Sequence, residues 1–438
     1  MLALKEQTML GNIPNNWRVK PLISLLSSHY PGEWGEERGA NMFKVLRSTN
    51  LTNNGRLDLS DVAVRSLKPE MADLLMPKSG DILLERSGGG PDQPVGRIGF
   101  VDFPMQGYAF SNFLHLLRPD ADRIHPRFLG WILWQINRTK RILRLEQQTT
   151  QMRNLNYRDY LSMPLPVPSD PEEQKAIARI LDAADTAIEQ TREAVKLAGD
   201  LRKALIQASF NFELCSEPLK DTDFGRIPRT WEWAKGKKAF VILSGGTNES
   251  SIKLPNNQTT SDAWFMKVDD FNNPINRRSI VRTKVGFQAA ANPKIKLLPK
   301  GTVIIAKRGA AILKNRVRTS AVPLVLDPNL MGIQMCDDIA PEFFAYQLEW
   351  RNLSRFLEDS GIPQLNNKDL YPRYFLRAPE SEQREMVAVI KAAEDQEDAL
   401  LDQLDAYESL KRALMDDLLT GKVRVNHAID KILSSEVS

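Results

Sequence analysis

A tandem duplication constrains this chain more than any other feature, because a unit of roughly half the length has to fold twice in the same way. Gly11-Asn12-Ile13-Pro14-Asn15-Asn16-Trp17 is answered by Gly225-Arg226-Ile227-Pro228-Arg229-Thr230-Trp231, both reading G-x-I-P-x-x-W. Pro77-Lys78-Ser79-Gly80-Asp81-Ile82-Leu83-Leu84-Glu85-Arg86-Ser87-Gly88 is echoed by Pro299-Lys300-Gly301-Thr302-Val303-Ile304-Ile305-Ala306-Lys307-Arg308-Gly309. Each reads as a turn, a buried strand and a basic loop. Asn154-Leu155-Asn156-Tyr157-Arg158-Asp159 is matched by Gln364-Leu365-Asn366-Asn367-Lys368-Asp369, and Glu173-Gln174-Lys175 by Glu382-Gln383-Arg384. The echoes keep their order, which makes duplication the economical reading.

After each Glu-Gln comes the strongest periodic signal. Asp170 as N-cap, Pro171 at the first helical position and Glu173 three residues past the cap announce a helix that runs to about Phe210. Its apolar seam falls at Ile177, Leu181, Ala184, Ile188, Thr191, Val195, Ala198, Leu201 and Leu205, a coiled-coil spacing with one short step from Ala198 to Leu201. The second half repeats it at Met386, Ile390, Ala393, Glu397, Leu400, Leu404, Tyr407, Leu410 and Leu414, with the short step in the same place and Glu397 out of character. A helix of about 39 residues is a rod of roughly 58 Å that must pack on something. Each rod could lie on its own domain, but matching seams predict that the two pair with each other, antiparallel because a whole domain separates them.

The fold class expected is therefore α+β: two α/β domains alternating with two long helices that pair as an antiparallel coiled coil. The boundaries read as 1–168 for the first domain, 169–212 for the central helix, 213–378 for the second domain and 379–438 for the C-terminal helix and tail. Composition fits a globular chain, with 42% hydrophobic and 26% charged among 438 residues. The net charge of +4 is too small to imply nucleic acid unless the cations cluster. Cys215 and Cys336 lie far apart with no ligand-spaced partners, which points to a reducing cytoplasm and no zinc. Neither a signal-peptide stretch nor a span long enough for a bilayer is present, so a cytoplasmic protein with no membrane partner is expected.

The ordered set of echoes resembles the specificity subunits of type I restriction-modification enzymes, and the resemblance covers nearly the whole chain. Its carriers are the two G-x-I-P-x-x-W openings, the strand-loop segments, and the run from Asn154-Leu155-Asn156 through Pro164-Leu165-Pro166-Val167-Pro168 to Glu173-Gln174. The second half repeats that run with Leu365-Asn366, Pro379 and Glu382-Gln383. Membership implies that each recognition domain reads one half of a split site in double-stranded DNA, with the helices as spacer. It also implies docking of two methylation subunits and, where present, restriction subunits. S-adenosylmethionine, ATP and magnesium would belong to those partners, and no cofactor is expected on this chain. The second strand-loop departs from the first, with Thr302 for Asp81 and Ala310-Ala311 for the glycine run Gly88-Gly89-Gly90.

No catalytic signature accompanies this pattern. A base-flipping adenine methyltransferase needs a glycine-rich cofactor loop and an Asn/Asp-Pro-Pro-aromatic run, and Asn273-Pro274-Ile275 lacks the second proline and the ring. No phosphate-cradling loop occurs either, since Gly88-Gly89-Gly90 is followed by Pro91-Asp92 and reads as a flexible loop. The competing readings are a diverged stand-alone DNA-modifying enzyme and a coiled-coil interaction scaffold.

The candidate DNA contacts are basic loops. Lys307, Arg308, Lys314, Arg316 and Arg318 fall in one stretch without an acid, and Arg86, Ser87 and Arg97 are the first-half counterpart. Arginine reads guanine with two hydrogen bonds, whereas a lone cation on a loop serves as well for phosphate or for solvent. Arg138, Lys140, Arg141 and Arg144 follow Trp131 and Trp134 on a helix, precede Gln147-Gln148-Thr149-Thr150-Gln151, and read as phosphate contacts. Glu394, Asp395, Glu397, Asp398, Asp402, Asp405 and Glu408 make the second rod acidic, either as a solvated face or as a dock for a basic partner. Trp17 and Trp231 are expected to pack at domain edges.

Overall fold

The computed structural model describes residues 7–89, 93–148, 153–254, 261–336, 338–357 and 363–425. Gly90, Pro91, Asp92, Thr149, Thr150 and Gln151, named above, lie outside the described residues. So do the first six residues and the tail beyond Val425. The chain divides into one unit of Met1–Thr191 with Gln403–Ser438 and another of Arg192–Asp402, so the division falls inside both long helices.

In the first unit the strands Leu26–Pro31, Leu114–Pro119, Ile82–Glu85 and Ile98–Phe100 lie side by side in that order, all antiparallel. Every side chain of Ile82–Glu85 is buried, because alternate residues enter different cores. Ile82 and Leu84 join the helix Pro126–Arg138 through Phe128, Leu129 and Ile132, while Leu83 joins Val45, Leu46 and Phe110 of a second sheet. That sheet is Tyr108–Phe110, Met42–Leu46 and Ala63–Ser66. Trp17–Pro21 pairs with Pro164–Pro168, and the chain passes from there into the first long helix.

The second unit repeats this plan. Phe240–Ser244, Leu330–Met335, Val303–Ala306 and Val317–Ser320 stand in the matching order, with Ser279–Ile280 added at the edge. Val303 and Ile305 face the helix Pro341–Arg351 through Phe343 and Phe344, and Ile304 faces the other core with Met266, Leu324 and Leu326. Glu232–Lys235 pairs with Tyr374–Arg377 ahead of the second long helix.

The echoed motifs have identical structural duties in the two units. Trp17 Nε1 donates to Glu173 at 3.3 Å, and Trp231 Nε1 donates to Glu382 at 2.6 Å, so each buried indole is tied to the start of a long helix. Glu173 is thus engaged with Trp17 and Arg424 rather than closing a capping box. Gln174 accepts from the backbone N–H of His125 and donates to Pro168 O; Gln383 accepts from Ala340 and donates to Ala378 O. The accepted bonds satisfy an otherwise orphaned N–H at the start of each domain's helix, which neither His125 nor Ala340 caps with its own side chain, and the donated bonds engage a carbonyl just ahead of each long helix.

The long helices span Pro171–Phe210 and Glu380–Leu418, with Asp170 accepting from Glu172 N–H at the first N-terminus. Within the first unit Glu173 meets Arg424 and Asp185 meets Lys411; within the second, Arg202 meets Glu394. In the second unit a Cβ on Gly199 would lie 3.1 Å from Glu397 Oε1. Advance along one helix matches retreat along the other, so the pair is antiparallel in each unit. The expected short step is absent. Leu201 and Leu410 are 49% and 51% exposed, and the next residues, Arg202 and Lys411, turn inward instead. The seam is an unbroken heptad that admits Arg202 on the first helix and Glu397 and Lys411 on the second. Sequence periodicity skipped Arg202 and Lys411 because a charge is costly at such a position unless a partner, invisible in one dimension, awaits it.

Candidate nucleic-acid interface

The central strand of each domain ends in the basic loop expected of it. Arg86 follows Glu85, its backbone held by Arg86 N–H to Phe113 O at 2.9 Å and by Leu155 N–H to Arg86 O at 2.8 Å. Lys307 occupies the same place, with bonds to Asn329 O at 2.8 Å and from Leu365 N–H at 2.9 Å. The two Asn-Leu-Asn-like echoes are therefore the segments that clamp these basic loops, Leu155 and Leu365 being buried beside them.

The arginines in these loops divide by what already holds them. Arg86 is exposed and bonds to His115 Nε2 at 3.3 Å, with its guanidinium 6.0 Å from the Tyr157 ring centre. Arg308 is exposed and bridges Gln364 through its backbone, and Lys314 is exposed in a 3-10 turn. Ser87 sits in the strand Ser87–Gly88 and donates to Asn154 Oδ1 at 2.6 Å. Arg316 donates to Asn272 Oδ1 at 2.5 Å, and Lys307 is half-buried.

Arg97 and Arg318 are built into the fold. Arg97 clamps the buried Glu85 carboxylate with bonds of 3.0 and 2.7 Å and also donates to Ser48 O and Leu51 O, using four of its five N–H groups. Arg318 donates to Asn276 O and Val317 O and lies 3.8 Å from Glu349; burial pushes its pKa down, and Arg202, Arg278 and Arg316 add repulsion. Sequence cannot separate these from Arg86, because the separating fact is a partner far along the chain.

Arg138 ends its helix over the Trp134 ring, Lys140 takes a left-handed conformation at the turn after it, and Arg141 donates to Met9 O at 2.6 Å; all three are exposed. The second unit places Arg351, Asn352 and Arg355 at the corresponding helix end, with Asn352 also at positive φ. Arg351 is pushed below its usual pKa by burial and then by Arg373 and Arg355. Lys235 and Gly236 adjoin this group, Gly236 N–H donating to Arg373 O at 2.8 Å and Lys235 Nζ lying 5.6 Å from the Tyr374 ring centre. The sequence reading missed that cluster; only Lys235-Gly236-Lys237-Lys238 is legible as a run, the rest being assembled by the fold.

The acidic stretch of the second long helix also acquires partners. Arg278 reaches Glu397 at 2.6 Å and Asp398 at 2.9 Å, and Arg277 lies 3.6 Å from Asp398. Burial opposes the charge on Arg278, but those carboxylates outweigh it and raise its pKa. In the first unit Arg56 performs the same service on Asp185, beside an Asn54 bond to Glu189. Each domain is thus latched by arginine to acidic residues of a long helix, Arg56 to Asp185 and Arg278 to Glu397 and Asp398. Part of the acidic face is neither bare nor free for a foreign partner. No group of His, Cys, Asp and Glu suited to a metal occurs among the described residues.

Comparison with known proteins follows the same outline. A family described as type I restriction modification DNA specificity domain matches residues 32–196. A putative type I restriction enzyme specificity subunit (MjaX) from Methanocaldococcus jannaschii is 22% identical over 429 residues, 96% of this chain and 96% of the relative. Another from that organism (MjaVIII) is 22% identical over 312 residues, 68% of this chain and 71% of its own. Among solved structures, the S subunit of a type I restriction-modification system from M. genitalium aligns with a TM-score of 0.57 at 16% identity, covering 94% of this chain and 99% of that one. A chain from a study of complex assembly and conformational transition in a type I system aligns at 0.55, also with 16% identity, covering 94% and 100%. At that identity these two structures speak to the fold.

Proposed function

We propose that this chain is a specificity subunit of a type I restriction-modification enzyme, and that each of its two recognition domains reads one half of a bipartite duplex DNA target through the loop after its central strand. The observation that carries this reading is the duplicated strand end: Arg86 in one domain and Lys307-Arg308 in the other leave matching strands, clamped by matching segments. Direct readout needs such side chains held at a rigid base, and guanine offers N7 and O6 to an arginine fork. The exposed cations at and just beyond the ends of Pro126–Arg138 and Pro341–Arg351, namely Arg138, Lys140 and Arg141 in one domain and Arg355 in the other, then suit phosphates, which fix register without carrying sequence.

The chain itself is non-catalytic in this reading, since it lacks a cofactor loop and a base-gripping motif. It positions two methylation subunits, and restriction subunits where the system has them, in the cytoplasm. S-adenosylmethionine, ATP and magnesium are used by those partners. Among the described residues no helix is long and apolar enough to cross a membrane. The test is direct: pure chain incubated with duplex DNA and S-adenosylmethionine transfers no methyl group, while its affinity for duplex falls steeply with salt. Methyl transfer by the pure chain, or binding indifferent to both DNA and salt, contradicts the assignment.

A further inference from the structure

Arg86 leaves its strand into a seat that the second domain lacks. His115 stands beside it, opposite Leu84 on the neighbouring strand, and is 3% exposed. Its Nε2 faces Arg86 Nη1 at 3.3 Å, while its Nδ1 is buried without a partner among the described residues. The Tyr157 ring packs edge-on against His115 with centres 4.2 Å apart and against His29 at 5.8 Å, and its hydroxyl meets His29 Nδ1 at 3.1 Å. Matching positions in the second domain follow from strand register. Met331 lies opposite Ile305 as His115 lies opposite Leu84, Ile242 replaces His29, and Asn367 replaces Tyr157 at the start of the short helix. The duplicated scaffold therefore carries a polar, aromatic seat in one copy and Ile, Met and Asn in the other.

A buried imidazole next to an arginine stays neutral. Burial, then Arg86, then His29 bring the His115 pKa down to about 4, so Nε2 is available as an acceptor at working pH. An acceptor on Nη1 fixes that end of the guanidinium and leaves the Nε and Nη2 hydrogens on the opposite edge. That edge is the fork that matches guanine O6 and N7. The Tyr157 ring, its centre 6.0 Å from the guanidinium, removes further rotamer freedom, which a long side chain otherwise loses on binding.

We propose that His115 and Tyr157 are positioning residues that hold Arg86 with its Nε–Nη2 edge outward to read a guanine in one half-site, a specificity device present in the first domain alone. It rests on the DNA-reading role given above. The device explains why the equivalent of Arg86 in the second domain is Lys307: without a seat, a planar fork gains little there.

The test uses the full chain assembled with its methylation partners. The bipartite target is first obtained by selection from a random duplex pool, and each base pair of both half-sites is then substituted in turn. Arg86→Ala is expected to lose about 10- to 100-fold discrimination at one G·C pair of one half-site. His115→Met, which installs the residue of the second domain, is expected to lose about ten-fold at that same pair while binding all other substituted duplexes as before. His115→Gln offers an amide oxygen to Arg86 and should restore discrimination to within about three-fold. Unchanged discrimination in His115→Met, or a uniform loss across every sequence in both His115 variants, overturns the positioning role. Arg86→Ala with every preference intact overturns the reading role of this loop itself, which is a separate failure.

Discussion

Asp185→Asn removes a carboxylate that two cations share in the first unit. Asp185 is 1% exposed, and it accepts from the ammonium of Lys411 and from Arg56 at 2.6 and 3.0 Å. Burial opposes its charge, yet Lys411 and Arg56 outweigh that and hold the carboxyl below its usual range. Lys411 is pushed down as well, because burial and the nearby Arg138 and Arg56 outweigh one carboxylate. Its Nζ sits 4.6 Å from the Trp131 ring centre and 4.7 Å from that of Trp134. Breaking a buried pair by removing one partner costs about 3–5 kcal/mol, since the other charge stays desolvated. Asp185→Asn should fall in that range. Lys411→Met should cost less, about 1–3 kcal/mol, because Arg56 still serves the carboxylate. Replacing both, as Asp185→Leu with Lys411→Met, should recover most of the loss, for Arg56 is 39% exposed at its side chain and can turn to water. Urea unfolding followed by the fluorescence of tryptophans such as Trp131 and Trp134, which sense Lys411 directly, measures all three. A double variant no better than the sum of the singles, or a cost for Asp185→Asn below about 1 kcal/mol, refutes the claim that this pair sits inside the helical seam.

Arg97→Ala is expected to destabilise by about 3 kcal/mol without changing base preference, because the buried Glu85 loses its ion-pair partner; Arg308→Ala should change preference and leave the melting temperature within about a degree. Gln383→Ala should cost about 1–3 kcal/mol in the second unit by orphaning Ala340 N–H and Ala378 O, and a melting temperature unchanged by the substitution would contradict that duty. His115 gives a pH dependence whose sign is fixed. Its charged form is disfavoured in the fold, so the unfolded chain takes up a proton near pH 6.5 and the folded chain only near 4. Stability then falls as pH drops through that window, by an amount on the order of 1–3 kcal/mol, and His115→Gln flattens the curve. Arg86, His29 and Tyr157 are the charged or titratable groups facing it. A wild-type curve no steeper than that of His115→Gln would remove this contribution.

The duplication carried most of the architecture. Repeated segments such as Gly11 to Trp17 and Glu173-Gln174 recur because each performs a fixed local task, and periodicity alone located both rods. It failed at Arg202 and Lys411 for a physical reason: a seam position is scored by its own polarity, while its acceptability depends on Glu349, Glu394 or Asp185 across the fold. The basic loops were visible as composition, yet composition gives Arg86 and Arg97 the same weight. Only the fold separates an arginine clamped on Glu85 from one seated on a neutral imidazole. His115 and Tyr157 carried no signal in one dimension, being an isolated histidine in an apolar strand and a tyrosine after an asparagine.

The central claim is that two equivalent loops read two halves of one DNA target. It is tested most directly by selecting bound duplexes from a random pool with the wild-type chain, Arg86→Ala and Arg308→Ala, each assembled with the methylation subunits. The account predicts a bipartite consensus for the wild type, one half of it altered by Arg86→Ala and the other half by Arg308→Ala, with the gap between them unchanged. A single undivided consensus, or both substitutions altering the same half, contradicts it.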